Sequence, residues 1–410
     1  MDEKSIENIQ QPDKNNKTIE KPKKGEHKWI AFLIIGLLFL GAGIGCLLWT
    51  FLKPQPEIAQ LNYPDIPSKK DDTSTVYSAL TGEKLDDANS LNAPVFCIQT
   101  PNGTDGARPQ AGLNTAGVIF EAIAEAGITR FAAIYQNPSP AVIGPIRSLR
   151  LYYLQWDTPF DCTIVHAGGA PDALAAVRTG GYKDLTENYT YMYRGTIRSR
   201  LWNNLFTTAS YLKQYSTNNG YNTSEIRGFS RMTPDESKKN RVNSLVKERL
   251  SITTPATGNT SELAAGTSNI GIRFGRIPNF NVDYVYDATS NKYLRSYQSG
   301  VAHNVYNCPN EDLGERNPED VCELTQMAPS VVIAMIVPER RASDNYHEDI
   351  TTIGSGEAYV FQNGLAIKGT WNKSSVADQI KFLDESGNEI KLVPGQVIVS
   401  AVPNYGGVEF

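Results

Sequence analysis

The chain has 410 residues, 39 basic and 44 acidic side chains, a net charge of −5 and a hydrophobic fraction of 40%. That length allows about two domains with a sizeable core, and the mildly acidic balance excludes a partner bound through a general basic surface, such as nucleic acid. Neither a CxxC pair nor a Cys/His set at zinc spacing occurs among its five cysteines, so no structural metal and no cofactor are expected.

Residues 1–28 are polar, without aromatics and rich in Lys, Glu, Asn and Gln. They cannot bury enough apolar surface to offset ordering entropy and are expected to form a disordered tail. Ile30 to Leu52 is then an apolar run of 23 residues, which at 1.5 Å per residue spans a hydrocarbon core of roughly 30 Å. A single transmembrane helix over 29–52 is expected. Lys14, Lys17, Lys21, Lys23, Lys24 and Lys28 crowd its amino side while Lys53 is nearly alone beyond it, which places the tail in the cytoplasm and the remainder outside. A cleaved signal peptide and a lipid on Cys46 are the alternatives, but the core is long for a leader and Gly43 stands where a lipidated leader has Leu or Val. Setting aside the tail's 7 lysines and 6 acids leaves 32 basic against 38 acidic residues, so an anionic ligand would have to be met by a local cluster of arginines.

Residues 53–92, rich in Pro, Asp, Ser and Thr, read as a stalk that ends by docking on a domain. Over 93–250, apolar runs at 93–98, 130–135 and 162–165 alternate with helical patterns at Thr115–Ala126, from Gly144-Pro145 onward, and at Pro171–Arg178. This alternation predicts an α/β domain, a mostly parallel sheet flanked by helices. Further helices are expected from Arg200 and from Thr233, and 251–269 reads as a linker. From 270 to 410 the period changes to two, through GIRFG, VDYVYD, SVVIAMIVP, AYVFQNG and QVIVSAVP. A β-rich domain with hairpin turns at Ala288–Asn291 and Glu385–Asn388 follows. Cys308 and Cys322 bracket a polar loop that a disulfide would close in an oxidising compartment. Whether Cys97 and Cys162 pair depends on whether their strands are neighbours.

Several ordered motifs carry a resemblance: ARPQAGL at 107–113, EAGITR at 125–130, IGPIRSLR at 143–150, HAGGAPDAL at 166–174, and YDATSNKYLRSYQSG and AYVFQNGLAIKGTW in the C-terminal half. They resemble the YerB-like lipoprotein family of bacteria, a family of unknown function, over nearly the whole region beyond the membrane run. The resemblance implies a two-domain extracytoplasmic protein attached to the bacterial cell membrane, and no particular activity. Relatives carry Asp where this chain has Gly117 and Pro-His-Asn where it has Trp202-Asn203-Asn204. If those groups are catalytic in relatives, this member lacks them.

The turn GPIRSLR is the sharpest candidate for a site. Pro145 opening a helix would leave backbone N–H groups free, and Arg147, Ser148 and Arg150 would add donors for a phosphate or carboxylate, with Arg108 and Arg130 at nearby element ends. His166 at a strand end, followed by Gly168-Gly169, is a candidate base or ligand contact, with Asp161 or Asp172 to orient it. Glu121 and Glu125, one helical turn apart, are candidate catalytic carboxylates, and Gln110 and Asn204 are possible amide contacts to a sugar or peptide. Against each stands a structural role: arginines paired with Glu121 or Glu125, and a histidine satisfied by a backbone carbonyl. The favoured function is binding of an anionic or glycan-peptide ligand of the cell wall. The alternatives are a cell-wall turnover hydrolase using His166 with a carboxylate, and a scaffold for another envelope protein.

Overall fold

Strands outweigh helices in the fold, and those at the centre of its main sheet are buried on both faces. The computed structural model describes residues 75–136, 140–196, 203–241, 261–262, 269–309, 311 and 314–410. The expected tail, the apolar run Ile30–Leu52, Cys46, the first part of the stalk and most of the 251–269 linker lie outside these residues. Among the described residues no helix is long and apolar enough to cross a membrane.

The N-terminal half supplies β1 (Val95–Pro101), β2 (Val118–Glu125), β3 (Ile128–Gln136), β4 (Thr163–His166) and β5 (Asp184–Thr186). The C-terminal half supplies β6 (Asn269–Arg273), β7 (Val282–Asp287), β8 (Lys292–Tyr297), β9 (Val331–Val337), β10 (Gly354–Gln362), β11 (Leu365–Lys373), β12 (Lys381–Asp384), β13 (Val397–Pro403) and β14 (Gly407–Glu409). One mixed sheet runs through both halves in the order β11, β10, β9, β13, β2, β3, β1, β4, β5, with β12 added to β11. The halves meet where β13 pairs parallel with β2, Val397 opposite Val118 and Ser400 opposite Glu121. A second sheet, β8–β7–β6–β14, packs its alternating apolar face on Val332, Ala334 and Phe361 of the first.

This corrects the expected α/β domain. β3 is antiparallel to both its neighbours and only β1, β4 and β5 run parallel within the N-terminal half. The segment expected as a helix over Thr115–Ala126 is the central strand β2, buried at every position. A strand covered on both faces is apolar without alternation and so mimics a buried helix. Gly127 does not stop a helix; Ala126 and Gly127 both have positive φ, 50° and 76°, and make the tight two-residue connection between antiparallel β2 and β3. The helix expected from Gly144-Pro145 is also absent. Residues 144–149 run extended because their N–H groups are taken by other segments: Ile146 by the Leu205 carbonyl at 2.8 Å, Arg147 by Gln99 at 2.7 Å and Leu149 by Gly168 at 3.0 Å. The helix begins only at α1 (Leu151–Asp157), and is followed by α2 (Pro171–Thr179), where the sequence placed one, and α3 (Ala209–Asn218). Trp156 of α1 stacks on Phe120 of β2 with ring centroids 5.5 Å apart; α3 covers the other face through Leu212.

Two cross-links fall within this frame. Cys97 and Cys162 join β1 to the entry of its parallel neighbour β4, with Cα atoms 5.7 Å apart, and Cys308 and Cys322 close the polar loop between them, Cα atoms 4.3 Å apart. The end of the expected stalk docks on the sheet: Leu80 is buried in the core, and its carbonyl accepts from Arg231, which also donates to Val393 and Gly395.

A buried polar chain joins the two halves beside the β2–β13 seam. Glu121 of β2 and Arg295 of β8 form an ion pair at 2.9 Å with neither side chain exposed. Arg295 also donates to Tyr284 and, at 2.9 Å, to His303 Nδ1; His303 Nε2 then donates to Gln110 Oε1 at 3.1 Å. Gln110, Arg108 and Tyr297 all donate to Asn102 Oδ1, and Asn102 donates to Thr129, which returns to Glu121 at 3.0 Å. Burial opposes the charge on Arg295, but Glu121, Tyr284 and Tyr297 outweigh it and hold the guanidinium above its ordinary value. His303, buried beside Arg295 and Arg108, is pushed well below the usual histidine range and stays neutral.

Removing one partner of such a pair strands the other charge in the interior. Arg295→Met is expected to cost about 3–5 kcal/mol in urea denaturation. The double variant Glu121→Leu, Arg295→Met should recover a substantial part of that loss; a double variant as unstable as the single one would show that the pair is not what the seam relies on.

Candidate functional site

The β2–β3 hairpin brings Glu125 and Arg130 together, and the extended segment 146–150 lies beside them. Glu125 Oε2 accepts from Arg130 Nη2 at 2.7 Å, and Glu125 Oε1 pairs with Arg150. Arg130 Nη1 reaches the Ser148 carbonyl at 3.5 Å. A register shift between Ile123 and Glu125 separates this group from the interior network. That bulge re-aims the strand's last carboxylate, so Glu121 goes to Arg295 and Glu125 to Arg130 and Arg150. The two carboxylates are not a facing pair across a substrate; Glu121 is paired with Arg295 and Glu125 with Arg130 and Arg150.

Arg147 differs from its neighbours. Its guanidinium makes no ion pair or hydrogen bond with any described residue, and its Nε is sealed from water without a partner. Burial holds Arg147 below its ordinary value, and the Arg130 charge adds to this, while Asp105 and Tyr346 act in the opposite sense. Glu125 thus contacts the guanidinium groups of Arg130 and Arg150, while the half-buried Arg147 has no carboxylate in contact and only Asp105 within electrostatic reach. Ser148, half-buried as well, lies next to it in the chain.

The remaining candidates from the sequence have other occupations. His166 is buried, and both ring nitrogens face acceptors, Gly168 O at 2.7 Å and Asp184 Oδ1 at 2.8 Å. It ties β4 to β5 and the following loop, and has no free nitrogen for a ligand. Neither acid expected to orient it does so: Asp172 caps Ala173 and Asp161 takes Lys183. Arg108 and Gln110 belong to the network around Asn102, where Arg108 also stacks over Tyr297 at 3.7 Å. Asn204 accepts from Arg194 at 3.1 Å. Among the described residues no group of three or more His, Cys, Asp or Glu side chains is arranged to hold a metal ion.

Residues that the sequence reading passed over come from the C-terminal half. Strands Glu339–Arg341 and Glu348–Ile350 form a hairpin whose tip carries Asp344, Tyr346 and His347. His347 Nε2 lies 3.9 Å from Glu125 Oε1, so the hairpin reaches the arginine group across more than 200 residues of sequence. The only local signal was a charged, aperiodic stretch, ERRASDNYHED, between two strands. At the hairpin's base Glu339 accepts from Tyr405 at 2.8 Å; burial pushes its carboxyl up to about 7, against that hydrogen bond, and the nearby Glu348 adds to the rise.

With the geometry in place, the class of protein follows from comparison with known sequences and structures. Residues 80–222 match the N-terminal domain of the family described as protein of unknown function (DUF3048), and residues 271–399 match its C-terminal domain. The chain belongs to this YerB-like family. The protein named Putative lipoprotein YerB, from Bacillus subtilis (strain 168), is 24% identical over 339 residues, 82% of this chain and 88% of the relative. The crystal structure of the YerB protein from Bacillus subtilis is similar in fold, with a TM-score of 0.62 at 22% identity, covering 82% of this chain and 100% of that one. The two domains of the family description are separate segments of the sequence, yet their strands share one sheet.

Two expectations follow. Arg150→Ala, which leaves buried Glu125 short of a partner, should cost about 3 kcal/mol, whereas Arg147→Ala should stay within about 0.5 kcal/mol of the parent or gain slightly, as read by urea denaturation. Glu339 has a folded value of about 7 against an ordinary value near 4.5. Its contribution is therefore intact below about pH 4.5 and is lost as pH rises towards 7. Urea midpoints between pH 5 and 8 should fall less steeply in Glu339→Gln.

Proposed function

We propose that this protein is a membrane-attached, extracytoplasmic binding protein of the bacterial cell envelope, and that its Arg147-centred site takes an anionic group of a cell-wall polymer. Attachment is supported by the apolar run Ile30–Leu52 with lysines on its amino side and by the lipoprotein named among its relatives. A helix through the membrane and a lipid on Cys46 are two ways of making the same attachment.

One observation carries the ligand class. A half-buried guanidinium, without a carboxylate in contact and with its Nε sealed from water, stands beside a second guanidinium. Such a group is partly desolvated with no acceptor in contact, its only offset coming from charges at longer range, and a phosphate or carboxylate with its forked acceptors supplies what is missing. Arg130 and Arg150 hold the frame through Glu125, while Ser148 lies within the same segment. The hydrolase alternative loses its histidine, because His166 is spent on Gly168 and Asp184.

Full-length protein in detergent, mixed with purified cell-wall sacculi, should sediment with them at low salt and be released as NaCl approaches 1 M, where the Debye length falls to about 3 Å. Arg147→Ala should reduce retention by at least about tenfold with its denaturation curve preserved. Soluble fragments released from the sacculi would instead make the protein a hydrolase, and absence of both retention and release would turn attention to a protein partner.

A further inference from the structure

The hairpin Glu339–Ile350 carries groups that the binding of a bare anion does not require. Tyr346 is 63% exposed, and its ring stands edge-on to His347 at 4.9 Å. It also lies within electrostatic reach of Arg130, Arg147 and Arg150. The tip is fixed in advance: Asp344 Oδ1 accepts from the backbone N–H groups of Tyr346 and His347, both at 2.9 Å, and Asp344 Oδ2 holds His347 Nδ1 at 2.6 Å. Of the three described histidines, His166 and His303 spend both ring nitrogens on protein partners. His347 spends only Nδ1; its Nε2 faces Glu125 at 3.9 Å, outside hydrogen-bond range.

An exposed aromatic face and an oriented donor or acceptor nitrogen lie side by side on the hairpin tip, within electrostatic reach of a guanidinium that contacts no anion. An acyl chain would call for an enclosed apolar slot. The surroundings of Tyr346 are polar, with Asp344, Asn345 and Arg341 sharing the tip. A ring with an apolar C–H face and a hydroxylated edge fits such a place, and a Tyr already held by its backbone loses little freedom on contact.

We propose that the site takes an anionic sugar: Arg147 with Arg130 holds the phosphate or carboxylate, Tyr346 stacks on the sugar face, and His347 Nε2 bonds a ring hydroxyl. This rests on the anion-binding reading above and narrows it from a bare anion to one carried on a sugar. Phosphate and carboxylate sugars present the same chemistry to a guanidinium, and separate probes distinguish them.

Titration calorimetry of the full-length protein in detergent, with inorganic phosphate, glucose, glucose 1-phosphate and glucuronate, provides the test. The expected result is that glucose 1-phosphate or glucuronate binds about tenfold or more tightly than inorganic phosphate, and that glucose alone does not saturate. Tyr346→Ala and His347→Ala should bring the ratio of sugar anion to phosphate towards one, and Tyr346→Phe, which keeps the ring, should restore it. Equal affinity of the parent protein for inorganic phosphate and both sugar anions, lost together in Arg147→Ala, would overturn the sugar proposal while upholding the anion site. Binding of all the anions that survives Arg147→Ala would overturn both.

Discussion

The fold depends on a charge pair with no access to water. Glu121 and Arg295 come from different halves of the chain and meet with neither side chain exposed. An isolated charge at that depth would be prohibitive, so the pair depends on the neighbours committed to it. That commitment is visible in the closed circuit of donors running from Arg295 through His303, Gln110, Asn102 and Thr129 back to Glu121. The two sequence domains are consequently not free to act as two bodies. The last long strand, β13, is inserted between β9 and β2, and the circuit locks the second sheet over the seam it makes.

A single irregularity in β2 decides which charges are structural and which are available. Were the strand regular from Ile119 to Glu125, its two glutamates would lie on one side. The bulge after Ile123 sends Glu125 to the group of Arg130 and Arg150 instead. Glu125 is taken up by Arg130 and Arg150, and Arg147 is left with no acid in contact, only Asp105 at longer range. Arg150 and Arg147 look equivalent in the motif IRSLR, but one caps a buried acid and the other has nothing to cap.

Much of the fold was legible where the chain's pattern was local. Alternation in VDYVYD gave β7, with its burial alternating residue by residue, and Pro171 began a helix where proline at the first turn predicts one. The membership in the YerB-like family was also legible from ordered motifs. The failures share a cause. VIFEAIAE suits a helix and a doubly buried strand equally well, and what decides between them is the pairing with β13, nearly 280 residues away. GPIRSLR reads as a helix because nothing local reveals that Gln99, Leu205 and Gly168 take its hydrogen bonds. At the site, Arg108 and Arg130 were expected to converge on Arg147 and Arg150; Arg108 instead joins the interior network through Asn102, and His347 and Tyr346 could not be anticipated, since only tertiary structure carries that hairpin to Glu125. His166 attracted attention as a histidine at a strand end, and its two partners, a turn carbonyl and an acid on the next strand, were not deducible from spacing.

How Arg147 can be held beside another cation without a partner of its own has an answer in the backbone. Its N–H donates to Gln99 of β1 at 2.7 Å and its carbonyl accepts from Ala167, just past β4, at 3.0 Å. Those two strands are themselves parallel neighbours joined by the Cys97–Cys162 cross-link. The residue is therefore clamped on both sides by a stapled pair of strands, and its position does not have to be stabilised through its side chain. A charge fixed in this way leaves its hydrogen-bonding capacity unspent among the described residues. A side chain positioned by its own ion pair, as Arg150 is by Glu125, has already given that capacity away.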